Sequence, residues 1–168
     1  MADSDKLAGQ MMLVSAIVFS LAFLTILTAH AFEQFGGYAP CSLCLQERYA
    51  YYFAVPAILV AFFAARGNAI GFTRVVLLLV AVGFLINAGL GVYHAGIEWK
   101  WWPGPATCSG GAALEWGEGG LAEQLENARV IRCDEAPWHF LWLSFAGWNA
   151  VVSAFLAGIA AFGASRRP

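Results

Sequence analysis

The sequence predicts an all-α membrane protein: one domain over 1–168, folded as a four-transmembrane-helix bundle with a long external loop. Hydrophobic residues make up 60% of the 168 residues and charged residues 12%, whereas soluble domains carry about 25% charged residues. Asp, Glu, Lys and Arg are missing from Leu7 to Phe32, from Tyr49 to Ala65, from Val75 to Ile97 and from Ala136 to Ser165. Each stretch supplies close to the ~20 apolar residues that a helix needs to cross a ~30 Å hydrocarbon core. The formal charge of −2 leaves no basic cluster to displace counterions from phosphates, so a nucleic-acid surface is excluded. Membrane lipid is the expected surrounding.

The first span is placed at about 11–32. Ala29-His30-Ala31 resembles a signal-peptidase site, but the apolar run exceeds the 7–15 residues of a signal core, and Asp3 and Asp5 sit where a signal carries cations. Retention of the segment as a membrane helix is expected. The second span, about 44–65, contains Pro56, which is expected to kink it at a cost that neighbouring helices can absorb. The third covers about 72–95.

The fourth, about 139–163, repeats Ala146, Ala150, Ala154 and Gly158 at every fourth position. That small-xxx-small stripe should let a neighbouring helix approach closely.

The 96–138 segment is too long for a simple connector. Trp99, Trp101 and Trp102 at its start suit the headgroup zone. Gly110, Gly111, Gly117, Gly119 and Gly120 then discourage regular structure around Cys108. Leu121, Leu125 and Ala128 form a weak apolar stripe opposite Glu123 and Glu126, which predicts a short interfacial helix.

Four spans put both termini on one side, together with the 66–74 turn and Lys6, Arg66, Arg74, Arg166 and Arg167. The positive-inside rule makes that side cytoplasmic. The four cysteines, at 41, 44, 108 and 133, then face an external compartment that in a bacterium permits disulfides.

Cys41 and Cys44 form a C-x-x-C pair at the start of the second helix, where unpaired backbone N–H groups and the helix dipole favour a thiolate. Arg48 follows Cys44 at i+4 and so shares its face, placing a cation where it can stabilise a Cys44 thiolate. Glu47 and Arg48 lie at the boundary of an apolar span, where ionisable groups are costly and are functional candidates. Arg48 can equally snorkel to the headgroups.

C-x-x-C is also half of a zinc knuckle. Cys108 and Cys133 are separated by 24 residues, a poor match to two tight pairs. The pattern leaves three readings: a relay between two disulfides with no resident metal, inert structural disulfides on a membrane scaffold, or a zinc site. A relay needs a sink for two electrons inside the bilayer, for which a quinone is the natural candidate. No C-x-x-C-H haem signature or ferredoxin spacing offers another. Of His30, His94 and His139, His94 is best placed to serve a reduced quinone, beside Tyr93 at the mouth of the third helix.

APCSLCLQER, YHAGIEWKWWPGPATC and IRCDEAPWHFLWLSFAGWN together resemble the DsbB family of bacterial inner-membrane thiol oxidoreductases, over nearly the whole chain. The resemblance implies a four-helix bundle that oxidises a periplasmic, DsbA-like thioredoxin-fold protein and passes electrons to ubiquinone or menaquinone. Carried onto this sequence, Cys108 would be attacked by the partner, Cys133 would attack Cys41, and Cys44 beside Arg48 would deliver electrons to the quinone. His94 matches a histidine that the family places near the quinone ring, although its spacing to the following proline departs from the family pattern.

Overall fold

The computed structural model describes residues 2–105 and 132–166. Helices α1 (Ala2–Gly36), α2 (Ser42–Arg66), α3 (Ile70–Glu98) and α4 (Phe145–Ser165) are all long and apolar enough to cross a membrane. Between α3 and α4, a two-stranded antiparallel hairpin pairs β1 (His139–Phe140) with β2 (Leu143–Ser144). The helices form a bundle in which α3 packs most extensively on α4, and α2 lies against both α1 and α3.

Helix-forming apolar residues build each span, and a repeat of about 3.5 residues decides its buried face. In α3 the buried positions include Thr73, Leu77, Val80, Phe84, Asn87, Gly91 and His94, alternating steps of four and three as in left-handed helix packing. In α2, Leu43 and Glu47 are followed by Tyr51, Ala54, Ile58, Ala61 and Ala65, which alternate in the same way from Glu47 onward. The outside is the more apolar surface: Phe63, Leu85 and Ile86 are 60%, 64% and 69% exposed. The interior holds Ser15, Glu47, Asn87, His94 and Ser153. Polar groups kept inside an otherwise apolar core, with an apolar exterior around it, suit lipid as the solvent.

The fourth helix departs from the expected span and from the expected stripe. Residues 139–144 form the hairpin, so α4 starts at Phe145. Its first turn is capped by Ser144, whose hydroxyl accepts from the Gly147 N–H at 3.2 Å. Ala146 is buried, but Ala154 and Gly158 of the four-residue stripe face outward. Steps of four drift by about 40° each around a 3.6-residue helix, so the stripe leaves the interface. Among the buried small residues, Ala146, Ser153, Ala157, Ala160 and Ala164 follow the 3.5 repeat, with Gly147 and Gly163 beside them. Close approach does occur, at Gly91: a Cβ there would lie 2.9 Å from the Ala150 backbone nitrogen.

The connections are tighter than the sequence suggests. Between α2 and α3 only residues 67–69 intervene. There Asn68 takes a left-handed φ of 59°, while Ala69 N–H donates to Ala64 O and Asn68 N–H to Ala65 O, a Schellman closure. Lys100, at φ 60°, ends α3 in the same way, with Trp101 N–H donating to Gly96 O. α2 runs on through Pro56. The interfacial helix expected at 121–129 lies outside the described residues, as does Cys108.

Candidate functional site

The chemistry gathers where the C-terminal ends of α1 and α3 meet the N-terminal ends of α2 and α4. Cys41 is the N-cap of α2, and its sulfur accepts from the Cys44 N–H at 3.2 Å. The helix N-terminus therefore does act on a thiol, and that thiol is Cys41. Cys41 and Cys44 are both free, with their sulfurs 2.8 Å apart against about 2.05 Å in a disulfide. The Cys41 thiol is held well below the ordinary range, first by the hydrogen bond from the Cys44 thiol and then by that from His94, against the opposing effect of burial.

His94 connects the thiols to a buried acid. Its Nε2 lies 3.6 Å from Cys41 Sγ, and its Nδ1 lies 2.8 Å from Glu47 Oε1. His94 and Glu47 have 2% and 6% of their surface exposed. Both occupy interior positions of the 3.5 repeat in their helices, which is why two residues so distant in sequence meet. His94 thus lies beside Cys41, and Cys41, His94 and Glu47 form one line.

Arg48 is one residue beyond Glu47, turned about 100° around α2 toward α1. Its Nη1 donates to Glu33 Oε2 at 2.6 Å. Arg48 and Cys44 line the same cavity, in keeping with their i, i+4 spacing, but the direct partner of the guanidinium is the Glu33 carboxylate. Glu33 also faces His30 at 3.7 Å.

Cys133 lines the same cavity as Cys41 and Cys44. It packs in one buried cluster with Cys41, Leu43 and Ile97, and its Sγ lies 3.7 Å from Ser42 Oγ. Cys133 is disulfide-bonded, so a closed zinc site built from all four thiols does not describe this structure. The segment after it is clamped to the end of α3: Lys100 Nζ donates to the backbone oxygen and carboxylate of Asp134 at 2.8 and 2.7 Å. Arg132 donates to the same carboxylate, and the two cations hold the Asp134 carboxyl below its usual range, Arg132 more strongly.

The thiols open into a cavity of about 850 Å³, within the roughly 300–1,000 Å³ typical of small-molecule sites. Phe32, Tyr38, Trp138 and Phe145 form one aromatic wall, with the Trp138 and Phe145 rings stacked 4.7 Å apart. Cys41, Cys44, Glu47, Arg48, His94 and Asn149 supply polar groups. The buried Asn149 Nδ2 has no hydrogen-bond partner among the described residues, although Asn149 Oδ1 accepts from the Tyr51 hydroxyl at 2.9 Å. An aromatic slot with an orphaned donor fits a flat carbonyl-bearing ring such as a quinone.

Glu33, Glu98 and Asn149 are site residues that the sequence reading missed. Glu98 follows His94 at i+4 and accepts a hydrogen bond from the Ser144 hydroxyl, tying α3 to the cap of α4. Its position at a span boundary, like that of Glu33, was the available signal. Trp102 folds back on α3, its Nε1–H donating to Tyr93 O at 2.9 Å.

No curated protein and no solved structure matched the chain. One family model did, described as disulfide bond formation protein DsbB, over residues 11–163. With that match spanning nearly the whole bundle and both described cysteines of the C-x-x-C pair at its mouth, the chain belongs to the DsbB family of membrane thiol oxidoreductases.

Proposed function

We propose that this protein oxidises a periplasmic, DsbA-like dithiol protein and delivers the two electrons to a membrane quinone, ubiquinone or menaquinone. In this reading the chain sits in the bacterial inner membrane with its termini in the cytoplasm and its cysteines facing the periplasm. The observation that carries it is that Cys41, Cys44 and Cys133 line one aromatic cavity, with Cys41 and Cys133 in the same buried cluster.

The relay starts from two disulfides, Cys108–Cys133 and Cys41–Cys44. A partner thiolate attacks Cys108 Sγ, forming a mixed disulfide and releasing Cys133 as a thiolate. Cys133 attacks Cys41, breaking the Cys41–Cys44 bond and releasing Cys44. The partner's second thiolate then displaces Cys108, which attacks Cys133 and frees Cys41. The partner leaves oxidised, Cys108–Cys133 is restored, and two electrons rest on Cys41 and Cys44.

A quinone, when bound, supplies a two-electron, two-proton acceptor. Arg48, held by Glu33, and Asn149 would orient its oxygens, while the aromatic wall would exclude water. Cys44, on the cavity side, would donate the electrons as Cys41 closes on it. His94 is placed to take the Cys41 proton, with Glu47 fixing its ring.

The test is turnover of the purified chain with a reduced DsbA-like protein and a soluble quinone. Quinone reduction is expected, together with its loss in Cys44→Ser; normal turnover in that variant would overturn the assignment.

A further inference from the structure

We propose that the reduced Cys41–Cys44 pair and His94 form a binding site for one thiophilic divalent cation, with zinc as the reference metal. The three ligand atoms all lie within 4.8 Å of one another. Around a tetrahedral zinc, with Zn–S about 2.3 Å and Zn–N about 2.0–2.1 Å, a sulfur and a nitrogen ligand sit about 3.6 Å apart and two sulfurs about 3.8 Å apart. Cys41 Sγ and His94 Nε2 already lie at 3.6 Å. The sulfurs, at 2.8 Å, need to part by about 1 Å, which rotation of the Cys44 side chain about χ1 can supply.

The surroundings favour such a site. His94 turns its Nδ1 to Glu47 Oε1 at 2.8 Å, the carboxylate–histidine arrangement that fixes the ring and raises the basicity of the ligating nitrogen. Two thiolates and one imidazole suit zinc and softer ions. All three ligands line the cavity, so the fourth coordination position opens toward it. On binding, the protons still held by the two thiols and by His94 go to solvent, leaving two thiolates and a neutral imidazole whose Nδ1–H donates to Glu47. No electrons move.

Such a site exists only while Cys41 and Cys44 are reduced, because a disulfide offers no thiolate. A bound cation would occupy the sulfurs that must re-form that disulfide, so zinc would arrest the chain in its reduced state. Binding stands on the geometry alone, whereas arrest rests on the relay proposed above.

The experiment uses full-length protein in detergent with Cys108→Ser and Cys133→Ser, which leaves Cys41 and Cys44 as the only thiols. After reduction by a phosphine, zinc is titrated in competition with a chelating dye, and cobalt(II) replaces it for spectroscopy. One equivalent of zinc is expected in the reduced protein and none after oxidation, a control that needs no further substitution. Cobalt should give thiolate charge-transfer and tetrahedral d–d bands. Cys41→Ser should abolish binding, and Glu47→Gln should weaken it by about 10–100-fold. Equal binding by the oxidised protein, or undiminished binding in Cys41→Ser, would overturn the site. In the wild-type chain, zinc should stop quinone reduction and a chelator should restore it. Zinc binding with unimpaired turnover would overturn arrest alone, whereas absence of turnover without zinc would count against the relay and leave the binding result standing.

Discussion

His94 and Glu47, on different helices, meet through a 2.8 Å contact between Nδ1 and Oε1 in the bundle interior, and the opposite ring nitrogen of His94 faces Cys41. Buried polar groups at membrane depth are costly unless paired, so this contact both satisfies the acid and aims the imidazole. His94→Ala is expected to lower the rate of quinone reduction by about 10²–10⁴-fold, the range of a positioned acid–base group. Glu47→Gln, which keeps the shape, should lose about tenfold, corresponding to a hydrogen bond of ~1.5 kcal/mol. Stopped-flow quinone reduction after mixing with reduced partner measures both. Equal rates in His94→Ala and wild type would remove the histidine from the chemistry.

The lowered titration of Cys41 gives a pH signature. Its thiolate is favoured by the Cys44 thiol, then by His94. In the folded reduced protein this contribution is fully present above the ordinary thiol value of ~8.5 and is lost as pH falls through the lowered value. In a variant lacking Cys108 and Cys133, the iodoacetamide reaction of the reduced pair should therefore stay near its plateau well below pH 8.5. Cys44→Ala, which removes the largest cause, should shift the midpoint upward. A midpoint at the ordinary thiol value in both proteins would contradict the geometry.

Arg48 and Glu33 join α1 to α2 through a 2.6 Å contact at the cavity mouth. The Arg48 side chain is only 11% exposed, so the pair is better shielded than a surface bridge. Arg48→Ala should raise KM for quinone by about tenfold or more, with Arg48→Lys intermediate, because a charge-assisted hydrogen bond is lost. Glu33→Gln should have the smaller effect. A double-mutant cycle is expected to give a coupling of about 1 kcal/mol; additivity within error would mean that the two side chains act separately.

Gly96 permits the fold-back of Trp102. A Cβ at Gly96 would come within 2.1 Å of the Trp102 ring, which also stacks on Tyr93 at 6.1 Å. Gly96→Ala should destabilise the protein by about 1–3 kcal/mol through overpacking, read as a lower Tm in detergent. Adding Trp102→Ala should relieve that clash, so the double variant should lose less than the sum of the singles. Strict additivity would show that the ring moves away at no cost.

Much of this architecture was legible in the residues. Four uncharged apolar stretches are enough to specify membrane helices, because lipid offers no partner for an exposed backbone. Cys41 and Cys44 could be placed at the head of α2 because the apolar run begins there. The stripe from Ala146 to Gly158 holds at Ala146, which is buried, and at Ala150, which meets Gly91, and fails at Ala154 and Gly158, because a period of four mimics a helix face over two turns and drifts away over four. The hairpin before α4 escaped notice because its turn residues, Leu141 and Trp142, both have positive φ, 49° and 65°, and neither belongs to the Asn-Gly type that announces such a turn.

By itself the sequence determined the spans, the cysteine pairs as candidates, and the shared face of Cys44 and Arg48, because each depends on spacing within one helix. Tertiary structure decided the partners. Whether Arg48 meets a thiolate or Glu33, and whether His94 meets Cys41, depends on the rotation and depth at which one helix packs against another. Those quantities follow from side chains interlocking along the whole interface, Gly91 against Ala150 among them, and no local pattern at the site encodes them.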